Sequence, residues 1–219
     1  NTVDLYKLST ERYTVGLGHL VRTDLLIGGQ FSQVNIKLTG NDSNGTLHKD
    51  AINLYSLYTR NDWLIKSDVG YSKNGYNTSH SLPDLNLYNT ATANGEDIWM
   101  QVRVYSPSKQ GFRVFVGVRK ERDTRNYAED AGSILSAVDY PKSDTTLTTR
   151  EAGLRFDHYF NDKLSVYAEY SKNNEQLQTG KAGLSYLSGK NTTIQIGGIQ
   201  QRQNGWRNDG IMLELKMLF

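Results

Sequence analysis

The sequence predicts an all-β fold, a transmembrane antiparallel β-barrel of twelve strands that takes up residues 1–219 as one domain. Three observations carry that expectation. Apolar and polar residues alternate with period two along most of the chain, and no helical period is sustained. Short turns alternate with long polar connections. The last stretch, residues 210–219, has a wholly apolar face of Ile211, Leu213, Leu215, Met217 and Phe219, opposed by Met212, Glu214, Lys216 and Leu218. A soluble domain usually ends its final strand in a few solvated residues, and this chain stops on an aromatic. Taken alone, that strand also fits the amphipathic edge of a soluble sandwich.

The strands are expected at 2–9, 12–21, 24–38, 51–59, 63–73, 97–106, 112–122, 147–159, 163–172, 177–187, 192–203 and 209–219. Between them, one set of connections is short and turn-forming: Arg22-Thr23, Arg60-Asn61-Asp62, 107–111, Asn161-Asp162 and 188–191. The other set includes 39–50, 74–96 and 123–146, all longer and polar. Sorting of this kind is the topology of an outer-membrane barrel, with periplasmic turns below and longer extracellular loops above. A soluble sandwich has no reason to sort its loops. An even strand number places both ends of the barrel chain on the periplasmic, short-turn side.

The faces agree with this reading. Trp63, Ile65, Val69 and Tyr71 alternate with Lys66, Asp68 and Ser72, and Ile98, Met100, Val102 and Val104 oppose Gln101 and Arg103. Phe112, Val114, Val116 and Val118 oppose Arg113, Gly117 and Arg119; Leu164, Val166, Ala168 and Tyr170 oppose Ser165 and Glu169. Such apolar faces have the reach of tilted strands in a bilayer. Trp63, Tyr105, Phe112, Phe160, Tyr186 and Phe219 lie beside short turns, where an interfacial aromatic girdle is expected. Leu25, Ile27 and Phe31 fall out of step with Val34, Ile36 and Leu38, which predicts a bulge near Gly28-Gly29.

Composition sets bounds. The chain has net charge +2 and a pI near 8.6, without the basic stripe of a nucleic-acid binder, so no nucleic-acid partner is expected. The absence of Cys removes disulfide frameworks and Cys metal sites. Pro is scarce (3), whereas Gly (20) and Tyr (14) suit bent sheets and membrane interfaces. A mean hydropathy of -0.60 does not oppose a membrane barrel, because lumen and lipid faces cancel within any window. No apolar run approaches the roughly 20 residues of a spanning helix. The chain opens on Asn1 without a signal peptide, as a mature or excised product would.

With the order laid out, the chain resembles the C-terminal translocator barrel of autotransporters, the type V secretion systems of Gram-negative bacteria. The residues that carry the likeness are Val15-Gly16-Leu17-Gly18-His19-Leu20, Asp24-Leu25-Leu26-Ile27-Gly28-Gly29, Asn53-Leu54-Tyr55-Ser56-Leu57-Tyr58, and Asp62-Trp63-Leu64-Ile65 running into Val69-Gly70-Tyr71-Ser72. To these are added Leu147-Thr148-Thr149-Arg150-Glu151-Ala152-Gly153-Leu154-Arg155-Phe156 and the terminal Phe219. The resemblance implies an outer-membrane protein-transport domain that anchors an N-terminal passenger and provides its route to the cell surface. It also implies a monomer in the lipid bilayer, an assembly signal at Phe219, Met217 and Leu215 read by the barrel assembly machinery, and a linker helix inside the barrel. This chain departs from the family in beginning at a strand and in carrying Met217 where further aromatics are common. Some relatives cut their own linker inside the lumen; Asn1 fits such a product and fits chance as well, so no catalytic residue is assigned.

A barrel of this size encloses a narrow polar lumen. Its expected lining is Lys66, Asp68, Arg103, Arg113, Arg119, Glu121, Glu151, Arg155, Asp157, Glu169, Lys181, Glu214 and Lys216. Internal charge pairing and a polar conduit are compatible readings of that set. His19, His48, His80 and His158 lack metal-ligand spacing, and neither a metal nor another cofactor is expected. His80-Ser81 would suit an outer-membrane hydrolase only if a carboxylate converged on them in space. Asn41-Asp42-Ser43-Asn44-Gly45 resembles a calcium loop without its closing Glu and reads as a solvated turn. A channel for small or anionic solutes would bias the lumen to Arg and Lys, and here acids are mixed in.

Overall fold

A sheet with one apolar and one polar face leaves no unpaired edge in a bilayer only if it closes on itself. The computed structural model, which describes residues 7–40, 43–82, 87–130, 138–188, 191–203 and 206–218, shows that closure. The strands are β1 (Lys7–Arg22), β2 (Leu25–Thr39), β3 (Ser43–Arg60), β4 (Trp63–Leu82), β5 (Leu87–Tyr105), β6 (Phe112–Asp130), β7 (Val138–Tyr159), β8 (Leu164–Asn173), β9 (Gln178–Ser188), β10 (Thr192–Gln203) and β11 (Trp206–Leu218). Each pairs antiparallel with the next, and β1 closes the barrel on β11.

The strand count differs from expectation: there are eleven strands among the described residues, not twelve. The expected strands 2–9 and 12–21 fall largely on one continuous β1, because Thr10-Glu11 contains no turn former and pairs straight through, Thr10 with Ile36 and Gly210. An odd count makes the closing pair parallel, Lys7 opposite Arg207 and Gly18 opposite Leu218. β1 therefore begins at the long-connection end and β11 finishes at the short-turn end. The two ends do not share a side among the described residues, contrary to the even-strand expectation. At this seam the Thr10 hydroxyl donates to Asn208 Oδ1 at 2.7 Å.

The short turns lie where their composition put them. Asn61 and Asp62 adopt φ of 49° and 64°, the left-handed pair that a two-residue hairpin needs and that Asn and Asp tolerate. Gln110 and Gly111 likewise have positive φ in the β5–β6 turn. The long connections are a second correction. Most of 39–50, 74–96 and 123–146 continues as strand, so β3 to β7 run for 18 to 22 residues while β8 to β11 run for 10 to 13. Beyond the bilayer both faces meet water, polar residues suit both, and the period-two signal disappears although the hydrogen-bonded ladder continues. Ser43-Asn44-Gly45 thus opens β3 instead of forming a turn, and Asn41-Asp42 lies outside the described residues.

No bulge exists at Gly28-Gly29; β2 is in continuous register with β3, and the one shift against β1 falls between Leu20 and Arg22. Ile27 and Phe31 face outward, while Val34 is buried on the inner face. The change of step is one of surroundings: the inner side of β2 itself becomes apolar toward the long-connection end, at Val34, Ile36 and Leu38.

Candidate functional site

Two faces follow from the register. The outer face carries the exposed apolar residues, among them Val15, Leu17, Phe31, Leu54, Val69, Met100, Val114, Val116, Leu154 and Ile211. Trp63, Phe112, Phe160 and Tyr186 are exposed beside the short turns. Tyr105 is a correction to the expected girdle: it is 3% exposed and packs on Phe115 with ring centroids 4.9 Å apart, on the inner face.

Contacts between strands that are not neighbours can only cross the interior, and they join much of the predicted polar set. Arg103 on β5 donates from Nε to Glu151 Oε1 on β7 at 2.6 Å and from Nη2 to Oε2 at 3.0 Å, a two-pronged bond. Its Nη1 reaches Glu169 on β8 at 3.3 Å. Glu169 also accepts from Arg155 Nη1 at 3.3 Å and has Lys181 Nζ at 3.8 Å. Arg155 forks onto Asp157 at 2.7 and 2.8 Å, and Gln101 donates to Glu151 at 2.6 Å. The result is a ladder of alternating sign, Glu151–Arg103–Glu169–Arg155–Asp157. Glu169, the carboxylate with three cationic neighbours, is only 8% exposed. A carboxylate held so far from bulk water requires those partners.

The remaining predicted residues fall around this ladder. Arg119 pairs with Glu121 at 2.8 Å and lies over the Trp99 ring, 5.1 Å from its centroid. Glu214 pairs with Lys216 at 3.0 Å. Asp68 accepts from the Trp99 indole N–H at 3.2 Å. Lys66 stands opposite Arg103 in the β4–β5 register and forms no ion pair among the described residues. Arg113 is not brought to the ladder: it donates to the carbonyls of Asp62 and Ser106 at 2.7 and 2.8 Å and ties two short turns together. On the outer side of β11, Leu215 and Met217 are half-buried; Phe219 lies outside the described residues, as do the side chains of His80 and Ser81.

The sequence reading missed a second polar group. Asp97, 3% exposed, accepts from Lys49 Nζ, from Ser72 Oγ at 3.0 Å and from Asn74 Nδ2 at 2.8 Å. It also missed Arg12, an exposed cation on β1. Parity was the available signal: counting back by twos from Arg103 reaches Gln101, Trp99 and Asp97.

Inward aromatics lie flat against the wall. A Cβ at Gly70 would overlap the Trp99 indole, and one at Gly153 would overlap the Phe115 ring. The glycines let these rings occupy wall rather than lumen. Phe115 is the only sizeable fully buried side chain among the described residues; the next in volume is Ser72. A soluble barrel of this girth would fill its interior with large apolar side chains. This interior is lined with charge, and Arg103, Glu151 and Glu169 are largely withdrawn from solvent within it.

Comparison with known proteins agrees with that geometry. The model of the autotransporter beta-domain family matches residues 2–209. The translocator domain of the autotransporter NalP from Neisseria meningitidis superposes with a TM-score of 0.73 at 11% identity, covering 95% of this chain and 86% of that one. The beta domain of the Bordetella autotransporter BrkA superposes with a TM-score of 0.57 at 12% identity, covering 89% and 82%. At these identities the two structures show the fold alone. No curated protein matches the chain in sequence.

Proposed function

We propose, from the premise that this chain belongs to the autotransporter beta-domain family, that the charged inner face is the conduit and seat through which a passenger's linker passes. Family membership makes the chain a translocator domain of the Gram-negative outer membrane, and a translocator carries a passenger. The lumen is the finer step. The observation that carries it is an interior whose few buried apolar groups, Phe115, Tyr105 and Trp99 chief among them, leave a face lined by Arg103, Glu151, Arg155 and Glu169. Paired charges of both signs give a wall that is polar yet close to neutral, which lets an extended chain slide without sticking. The same wall offers donors and acceptors to a helix that stops there.

On this reading the short turns face the periplasm and the long hairpins face outward. The apolar outer edge of β11 leads to Phe219, which the barrel assembly machinery reads, and the barrel works as a monomeric single domain. An anion channel would need an inner face dominated by cations, and here each carboxylate of the ladder is matched to one.

Single-channel conductance tests the reading. Residues 1–219 inserted in a planar bilayer conduct, because the wall leaves room for about one helix. A chain extended N-terminally by its linker conducts far less, because the helix displaces water and ions. Equal, large conductances of the two would overturn the proposal and favour a channel.

A further inference from the structure

Above the apolar belt, the outer wall changes character from sector to sector. On β3 to β5 the first charged outward residues are Asp50, Lys73 and Glu96, and Lys73 stands directly opposite both acids in register. That sector offers no net positive charge. On β6, β7 and β8 the corresponding residues are Lys120, Arg150 and Lys172, all exposed, and none forms an ion pair among the described residues. The nearest carboxylates are engaged or set apart. Asp144 is held by Arg122 one step farther from the belt, where the guanidinium's hydrogen bonds keep its carboxyl below the usual range. Glu175, in the β8–β9 turn, receives the Asn174 amide at 3.3 Å.

We infer that Lys120, Arg150 and Lys172 form a binding site for the phosphate groups of an anionic lipid in the leaflet that faces the long hairpins. Register supplies the geometry. Lys120 pairs with Thr148 and Lys172 with Ala152, so Arg150 is the diagonal neighbour of each, about 7–8 Å away by Cα. Strand tilt turns such a diagonal toward the membrane plane and so brings the three cations toward a common depth. Val118, Ala152 and Tyr170 lie one outward step below them on the same three strands, exposed to acyl chains. Lipid tails below and a row of cations at head-group level, without ion pairs among the described residues, together match one occupant, a lipid with phosphate on its head group. Three separated cations favour a head group bearing two phosphate monoesters over a single diester. The assignment rests on the proposed orientation, with the hairpins outward.

Native mass spectrometry of the folded barrel in detergent tests it. The probe is an acylated disaccharide lipid carrying two phosphates, offered with the same lipid after enzymatic removal of both. The wild-type barrel retains the phosphorylated lipid, and the Lys120→Gln, Arg150→Gln, Lys172→Gln triple variant retains at least about tenfold less. Lys73→Gln, in the sector where Lys73 faces two carboxylates, changes nothing. Heat-modifiable gel migration verifies folding, and Arg150→Gln alone, at the centre of the row, serves if the triple variant does not assemble. Equal retention by the variants, or equal retention of the dephosphorylated lipid, would overturn the site. The linker-dependent fall in conductance is independent of these residues, so either proposal can fail without the other.

Discussion

Phe115 is held by what Gly153 lacks. The ring is 1% exposed, sits 4.9 Å from Tyr105, and has the Arg103 guanidinium 5.3 Å from its centroid. Gly153→Ala would drive a methyl group into the ring and toward the Tyr170 carbonyl, both part of a wall with little freedom to move. The expected destabilisation is about 1–3 kcal/mol, the usual result of overpacking, measured by urea unfolding in lipid vesicles. Phe115→Ala removes the ring instead and should cost about 3–5 kcal/mol. The alternation alone, which sets Phe115 on the side of Arg113, Gly117 and Arg119, predicts that a polar change there costs less than a charge on neighbouring Val116. Burial overturns that ranking. Only pairing with β7, invisible in the local pattern, brings Gly153 under the ring.

Strands, by contrast, were legible wherever they cross lipid. Period-two alternation assigned the faces of β4, β5, β6 and β8 because one face must be apolar and the other need not be. Val116 is 58% exposed on the outer face, as the alternation requires. Val116→Arg should therefore cost roughly 2–4 kcal/mol near mid-membrane, again by unfolding in vesicles; a neutral result would mean the register is inverted. The same rule failed beyond the bilayer, where polar residues populate both faces and 74–82 and 87–96 read as loop. It also failed at Thr10-Glu11, where a weak polar interruption suggested two strands and the ladder shows one. Ladder partners such as Glu151 and Glu169 were legible as inward charges. Their attachment to Arg103 was not, because it joins strands two and three places apart around the wall. For the last strand, deleting Phe219 should reduce the folded, heat-modifiable fraction in the outer membrane; undiminished folding would remove the assembly signal from this end.

At the scale of the whole barrel, charge balance holds the interior together beside a few buried aromatics. Glu151 and Glu169 together engage Arg103, Arg155 and Lys181. Replacing both with Gln keeps the shape of the side chains and removes two negative charges, so three cations are left against Asp157 alone. If the ladder lines the water path, permeating ions feel the change directly, since charges facing a narrow lumen are poorly screened over distances shorter than about 10 Å at 0.1 M salt. The wild-type barrel, with its signs matched, should show weak selectivity in a potassium chloride gradient. The Glu151→Gln, Glu169→Gln variant should shift its reversal potential toward the chloride equilibrium value, and raising the salt concentration should shrink the shift. Asp144→Asn, which removes a carboxylate from the outer face, should leave the reversal potential where it was. A double variant that folds, conducts and keeps wild-type selectivity would mean that the ladder stiffens the wall without touching the path, and the conduit would have to run elsewhere in the barrel.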